Sequence, residues 1–214
     1  MLSSLFDLVL PLACGGCGAS GTAWCRACAR VLNDPPALVP LRGDPGVPVW
    51  SLGPYAGPRR RAVVAAKERG RRDLADPLGL AWAVAVSRLR RWGELPPGPT
   101  TVVPAPTRAR AARARGGDPV SRAAQVAASH DPHLFVHPLL VSARGVRDSV
   151  GLSAAERRRN LAGRIRLREG GVPRTRQVLV VDDIVTTGAT AAESVRVLRR
   201  GGFDPVGMLV TAHA

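Results

Sequence analysis

From Tyr55 onward the apolar positions follow two alternating rhythms, the three-to-four-residue spacing of helices and the short unbroken β-branched runs of strands. The pattern predicts helices over 59–70, 74–92, 119–129, 153–161 and 188–200, strands over 100–103, 178–181 and 206–211, and a short apolar run near 134–136. Such alternation points to an α/β fold with a mainly parallel sheet flanked by helices. At 178–181 no polar residue interrupts Val-Leu-Val-Val, which suits a strand buried on both faces. Ahead of this region, 34–54 is rich in Pro and Gly and reads as a linker or irregular edge. The chain thus divides into a small module at 1–33, a linker at 34–54 and a main domain at 55–214. Residues 1–13 are apolar, but they lack a basic start, carry Asp7 and are too short to span a bilayer. They read as an amphipathic helix packed on the small module, and no membrane association is expected.

The strand at 178–181 runs into Asp182 and Asp183, then into a turn, Thr186-Thr187-Gly188-Ala189-Thr190, that opens a helix. The C-terminal end of a parallel strand is where such folds bind ligands. The turn offers successive backbone N–H groups, small residues for close approach and hydroxyl donors at a helix N-terminus, the requirements of a phosphate. Two carboxylates beside it can accept hydrogen bonds from vicinal hydroxyls and help hold Mg²⁺ through its waters. Phosphate and diol together describe ribose 5-phosphate. An ordinary capped helix start is the rival account, but it needs neither adjacent aspartates nor three threonines. The chain has no nucleotide P-loop and no Gly-x-Gly-x-x-Gly after a strand.

All four cysteines fall in two Cys-x-x-Cys knuckles, Cys14/Cys17 and Cys25/Cys28. That spacing fits a tetrahedral, closed, structural zinc site, with Gly15, Gly16 and Gly18 permitting the tight turns. Two disulfides are the alternative, but nothing in the sequence suggests export, and a cytoplasmic protein is expected. A redox Cys-x-x-Cys lacks its strand–motif–helix setting.

Composition changes the picture in one respect. The net charge is +15, and Lys67 is the single lysine among 31 basic residues. Arginine-rich composition also follows from GC-rich coding, yet the excess over acids would attract polyanions, a pyrophosphorylated sugar as well as DNA or RNA. Eight aromatic residues are too few for a stacking platform on single strands. A lone lysine where arginine is otherwise used suggests a compact charge touching a phosphate or an acceptor, with chance as the rival account. The four histidines show no metal spacing with carboxylates.

The 177–190 segment resembles the PRPP-binding motif of type I phosphoribosyltransferases, and two cysteine knuckles ahead of such a core make the chain resemble the ComF family. That family has a link to DNA uptake in competent bacteria. The likeness also rests on Tyr55, Lys67 to Gly70, Val102 to Pro106, Arg115 to Pro119, Arg144 to Leu152 and Glu156 to Asn160. It implies the type I phosphoribosyltransferase fold, with Asp182, Asp183, Thr186, Thr187, Gly188, Ala189 and Thr190 binding PRPP. It further implies that the loop at Pro104 and Ala105, helped by Arg113 and Arg115, receives the pyrophosphate. Arg144 and Arg147, between glycines, suit a hood that closes over substrate. The resemblance lacks a glutamine usual near Ser149. Glu156 fits a capping box better than catalysis.

The reaction implied is displacement of pyrophosphate from C1 of PRPP by a nitrogen nucleophile, with Mg²⁺ as cofactor and Asp182 or Asp183 as proton acceptor. Two other readings stay open. In one, PRPP or a nucleotide is bound as a signal without transfer; in the other, the protein binds DNA or a DNA-processing partner. The acceptor and the oligomeric state are not legible.

Overall fold

The apolar run at 178–181 is buried on both sides, as its lack of alternation requires, with each of its four residues no more than 2% exposed. Around it the computed structural model describes residues 12–106, 117–142, 163, 165–168, 170 and 173–214. In chain order these form α1 (Arg26–Leu32), β1 (Ala37–Leu38), β2 (Val49–Ser51), α2 (Gly57–Glu68), a single 3-10 turn (Arg72–Leu74) and α3 (Ala75–Arg91). There follow β3 (Thr100–Pro104), α4 (Pro119–Ser129), β4 (Leu134–Val136), β5 (Leu140–Ser142), β6 (Ile165–Leu167), β7 (Gln177–Val185), α5 (Ala189–Arg200) and β8 (Asp204–His213). Six strands make one sheet in the order β1-β2-β8-β7-β3-β4, and β5 and β6 pair separately. Every pairing in the large sheet is parallel except that of β1 with β2. The α/β class expected from the alternation is the one observed, a mostly parallel mixed sheet flanked by helices.

Because side chains alternate along a strand, the two faces of β7 serve different cores. Leu179 and Val181, with Val102 and Leu209, pack under α2, α3 and α4 against Ala66, Trp82 and Ala123. Val178 and Val180, with Val103 and Met208, pack against Val197 and Leu198 of α5 and against Ile165. Burying each such Leu or Val contributes roughly 1.5–3 kcal/mol, which makes β7 the mechanical centre of the fold. On the first face Trp82 Nε1 donates to Thr211 Oγ1 at 3.1 Å, so the indole N–H is satisfied inside the core.

The helix at 119–129 begins where the sequence says it should. Pro119 occupies the first turn, and the Asp118 carboxylate accepts from the Ser121 N–H at 3.1 Å. At the far end of α3, Arg90 reaches Asp131 at 2.5 Å and donates to Gly98 O and Thr100 Oγ1, tying α3 to the starts of β3 and β4.

Among the described residues the expected helices and strands are found within a few residues, with two informative differences. The Pro/Gly-rich stretch 34–54 contributes two strands to the sheet, both too short to show a period. One of them, β1, is flanked by Pro35, Pro36 and Pro40 and covers the outer edge of β2. Strand β7 continues past the expected 178–181 to Val185, because β8 runs beside it and pairs Asp182 with Val210 and Val185 with His213. On its other side β3 stops sooner, the last register pair being Pro104 with Val181. The helix expected at 153–161 lies outside the described residues, as do 1–11 of the expected first helix.

Chain direction completes the frame. From β3 the chain passes through α4 to β4 on one side, whereas from β7 it passes through α5 to β8 on the other. The strand order therefore reverses between β3 and β7, and open α/β sheets hold ligands in the crevice beyond the C-terminal ends of such a pair.

Candidate functional site

Asp182 and Asp183 occupy the stretch of β7 that outruns β3, so they sit at the lip of this crevice. Being consecutive in a strand, they serve opposite faces. Asp182 lines a cavity of about 180 Å³ together with the turn 186–190 and Met208. Its Oδ1 accepts the backbone N–H of Asp183 at 2.8 Å. Burial, reinforced by the neighbouring Asp183 carboxylate, pushes the Asp182 carboxyl well above the usual carboxylate range, with Lys67 offsetting part of the rise. Asp183 turns the other way, against Val63, Trp82, Val120, Ala123 and Thr211. Lys67, from α2, places its Nζ 2.7 Å from Asp183 Oδ2 and 3.0 Å from Oδ1.

Thr186 is exposed, Thr187 and Thr190 are half-buried, and Gly188 and Ala189 are buried. Gly188 sets the turn: its φ is +80°, and a Cβ there would lie 2.7 Å from the Gly43 carbonyl oxygen and 2.9 Å from Leu41 Cδ1. Only glycine meets both demands. The Gly43 N–H in turn donates to Thr187 O at 3.3 Å, so the segment at 41–43 braces the turn from outside. No side chain caps the start of α5, so its first backbone N–H groups are open to water or an anion.

On the β3 side, the Ala105 N–H donates to Val181 O at 2.8 Å, while Pro104 and Pro106 have no N–H. Within 104–106 no backbone N–H is therefore left for the pyrophosphate contact expected there. Arg113 and Arg115, Arg144 and Arg147 of the expected hood, and Arg157 and Asn160 all lie outside the described residues.

Of the residues gathered here, Leu41 and Gly43 went unnoticed in the sequence. The available signal was the turn itself, Arg42-Gly43-Asp44-Pro45-Gly46, in which Gly46 N donates to Asp44 Oδ1 at 2.7 Å.

The cysteine module forms a second centre. Its four sulfurs all lie within 4.8 Å of one another, and Cys17 Sγ and Cys25 Sγ are 3.6 Å apart. A tetrahedral zinc with Zn–S bonds of about 2.3 Å separates its sulfurs by roughly 3.8 Å, so the cluster fits such an ion and contains no disulfide. A Cβ on Gly16 would come 2.6 Å from Cys28 Sγ, which explains the glycine. Burial raises the Cys14 thiol, but the backbone N–H groups of Cys17, Cys25 and Gly16 outweigh it and bring it down to about 6. Burial drives the Cys28 thiol upward, so a metal must displace its proton.

Three arginines hold this module to the sheet domain. Arg59 donates to Val31 O at 2.6 Å and pairs with Asp34 at 2.5 Å. Arg61 donates to Gly16 O, and Arg71 donates to Ala13 O at 2.9 Å and Ala23 O at 3.5 Å. A larger cavity of about 640 Å³ lies between α1 and α3, lined by Trp24, Leu32, Pro77 and Leu80. Its lining is mostly apolar and includes neither of the paired acids.

No family model matches the chain. The orotate phosphoribosyltransferase of Thioalkalivibrio sulfidiphilus (strain HL-EbGR7) is 45% identical over 43 residues, 20% of this chain and 20% of that protein. The chain thus spans about a fifth of the length of the curated relative it matches, and over that stretch it is similar to a phosphoribosyltransferase. Among the described residues no helix is long and apolar enough to cross a membrane.

Proposed function

We propose that the crevice binds PRPP and that the protein is a Mg²⁺-dependent phosphoribosyltransferase of type I fold and ComF-like arrangement, acting on a nitrogenous acceptor. The observation that carries this reading is the shared cavity of about 180 Å³, in which the uncapped start of α5 and the Asp182 carboxylate face the same space. A 5-phosphate takes the N–H groups and hydroxyls of Thr186 to Thr190, and the ribose hydroxyls fall to the aspartates at the strand end. Binding energy from the phosphate, far from the reacting carbon, then orients C1. Asp182, whose carboxyl holds a proton more readily than an ordinary carboxylate, is suited to accept one from the nucleophile. Mg²⁺, which the hard oxygens of the aspartates fit through its waters, would neutralise the departing pyrophosphate. The cysteines hold a structural zinc.

A second reading is retention of PRPP or a nucleotide without transfer; it draws on the Ala105 N–H, which is taken by Val181 O rather than left for a leaving group. Calorimetric titration of the zinc-loaded protein with PRPP, with and without Mg²⁺, tests both. Saturable binding that is lost in Asp183→Asn and weakened in Thr187→Val is expected. Turnover with a panel of bases then separates the two readings, and no heat from the wild-type protein rejects both.

A further inference from the structure

Lys67 reaches the second of the paired acids from far along the chain, 116 positions before its partner. The pair it makes with Asp183 is asymmetric. The Asp183 side chain is 13% exposed, sits on a paired strand and backs onto Trp82 and Ala123, whereas the Lys67 side chain is 40% exposed at the end of a flexible stem. The carboxylate is therefore the fixed member and the ammonium the movable one.

The direction of approach matters as well. Apolar groups close off one side of Asp183, and the ammonium touches both oxygens at 2.7 and 3.0 Å. A vicinal diol also presents two O–H donors to a carboxylate and would compete for the same lone pairs. Lys67 thus takes the lone pairs that a ligand's hydroxyls would need, and it keeps a largely buried carboxylate compensated.

We propose that Lys67 is an exchangeable counter-ion: it gives up Asp183 to the ribose hydroxyls when PRPP binds and transfers its charge to the diphosphate. This rests on the reading of the crevice as a PRPP site. A compact ammonium with three rotatable donors suits that exchange better than a guanidinium fork, which would grip the carboxylate in fixed geometry. The inference gives the single lysine of a chain with 31 basic residues a task that arginine performs less well.

The two roles carry opposite signs for two ligands that differ only in the diphosphate. Losing Lys67 removes a competitor of ribose 5-phosphate but removes a binding group for PRPP. The full-length, zinc-loaded protein is titrated with each ligand in the presence of Mg²⁺, as wild type, Lys67→Met and Lys67→Arg. In Lys67→Met, PRPP affinity is expected to fall by about 10-fold to 100-fold, the loss of one charge-assisted hydrogen bond, while ribose 5-phosphate binds equally or more tightly. Lys67→Arg is expected to recover part of the PRPP affinity. Melting curves check the fold, and Lys67→Gln replaces the methionine variant if that one melts early. Parallel weakening of both ligands would reduce Lys67 to a support for Asp183 and overturn the exchange, as would unchanged PRPP affinity. If the wild type binds neither ligand, the PRPP reading itself has failed and the exchange falls with it.

Discussion

The cysteine module and the strand-end crevice are both announced by short sequence motifs, but they are completed in different ways. The four cysteines come from 15 consecutive positions, and the turns between them already bring the sulfurs within 4.8 Å of one another. The crevice takes two acids and a turn from one segment, then needs Gly43 to brace the turn and Lys67 to compensate Asp183. A cysteine cluster of this kind needs little beyond local turns, whereas the strand-end site borrows charge and support from distant parts of the fold. The two regions also meet on one element: α2 carries Arg59 and Arg61, which hold the module, and Lys67, which reaches the crevice.

That comparison breaks most sharply if a metal held by the cysteines is withdrawn. Structural zinc supplies folding energy directly, so a strong chelator is expected to lower the melting temperature by on the order of 10 °C and to weaken PRPP binding through α2. A melting temperature that ignores the chelator would show that the crevice stands without the module. A smaller, one-sided effect is expected of Gly188→Ala, which forces a side chain into a positive-φ position under the Gly43 carbonyl. A cost of about 1–2 kcal/mol and a loss of PRPP affinity should appear in calorimetry, with zinc affinity unchanged. Arg71→Met tests the opposite side. Loss of its bonds to Ala13 O and Ala23 O should weaken zinc binding by about 5-fold to 30-fold in a competition titration, on the scale of about 1 kcal/mol per bond, and leave the turn at 186–190 intact.

The smallest effect expected is a gain. The carboxyl of Asp182 titrates higher in the folded chain than in the unfolded one, where it lies near the usual value of about 3.9. The folded state then holds a proton that the unfolded state releases, so this residue lowers stability as pH rises from that value through the folded one. Asp182→Asn should melt roughly 2–4 °C higher than wild type at pH 7.5 and no higher at pH 3.5, while losing ligand affinity. A lower melting temperature at pH 7.5 would mean that the carboxylate is compensated rather than strained.

Much of this was legible in the sequence, for reasons that differ by element. Helix 119–129 carries its cap and its proline in the right places, and the short, β-branched run at 178–181 suits a doubly buried strand. Strands β1 and β2 were not legible, because two or three residues cannot display a period. The reach of β7 through its own acids is set by β8, a partner that no local pattern reveals. At the site, the cysteines and the strand–turn motif were readable since each is contiguous. Lys67 stood out as a singular residue, yet its partner was not readable, because pairing across 116 positions depends on how α2 lies over the sheet. The use of the Ala105 N–H by Val181 is likewise a property of register.

Strand β1, two residues long and hemmed by prolines, has a consequence for how the molecule behaves among its own copies. By lying antiparallel on β2 it replaces a row of open hydrogen-bonding groups with a short edge that cannot template another strand. Deleting 35–40 should leave β2 ready to recruit a neighbour, and light scattering of the shortened chain would register the growth of aggregates where the intact protein stays dispersed.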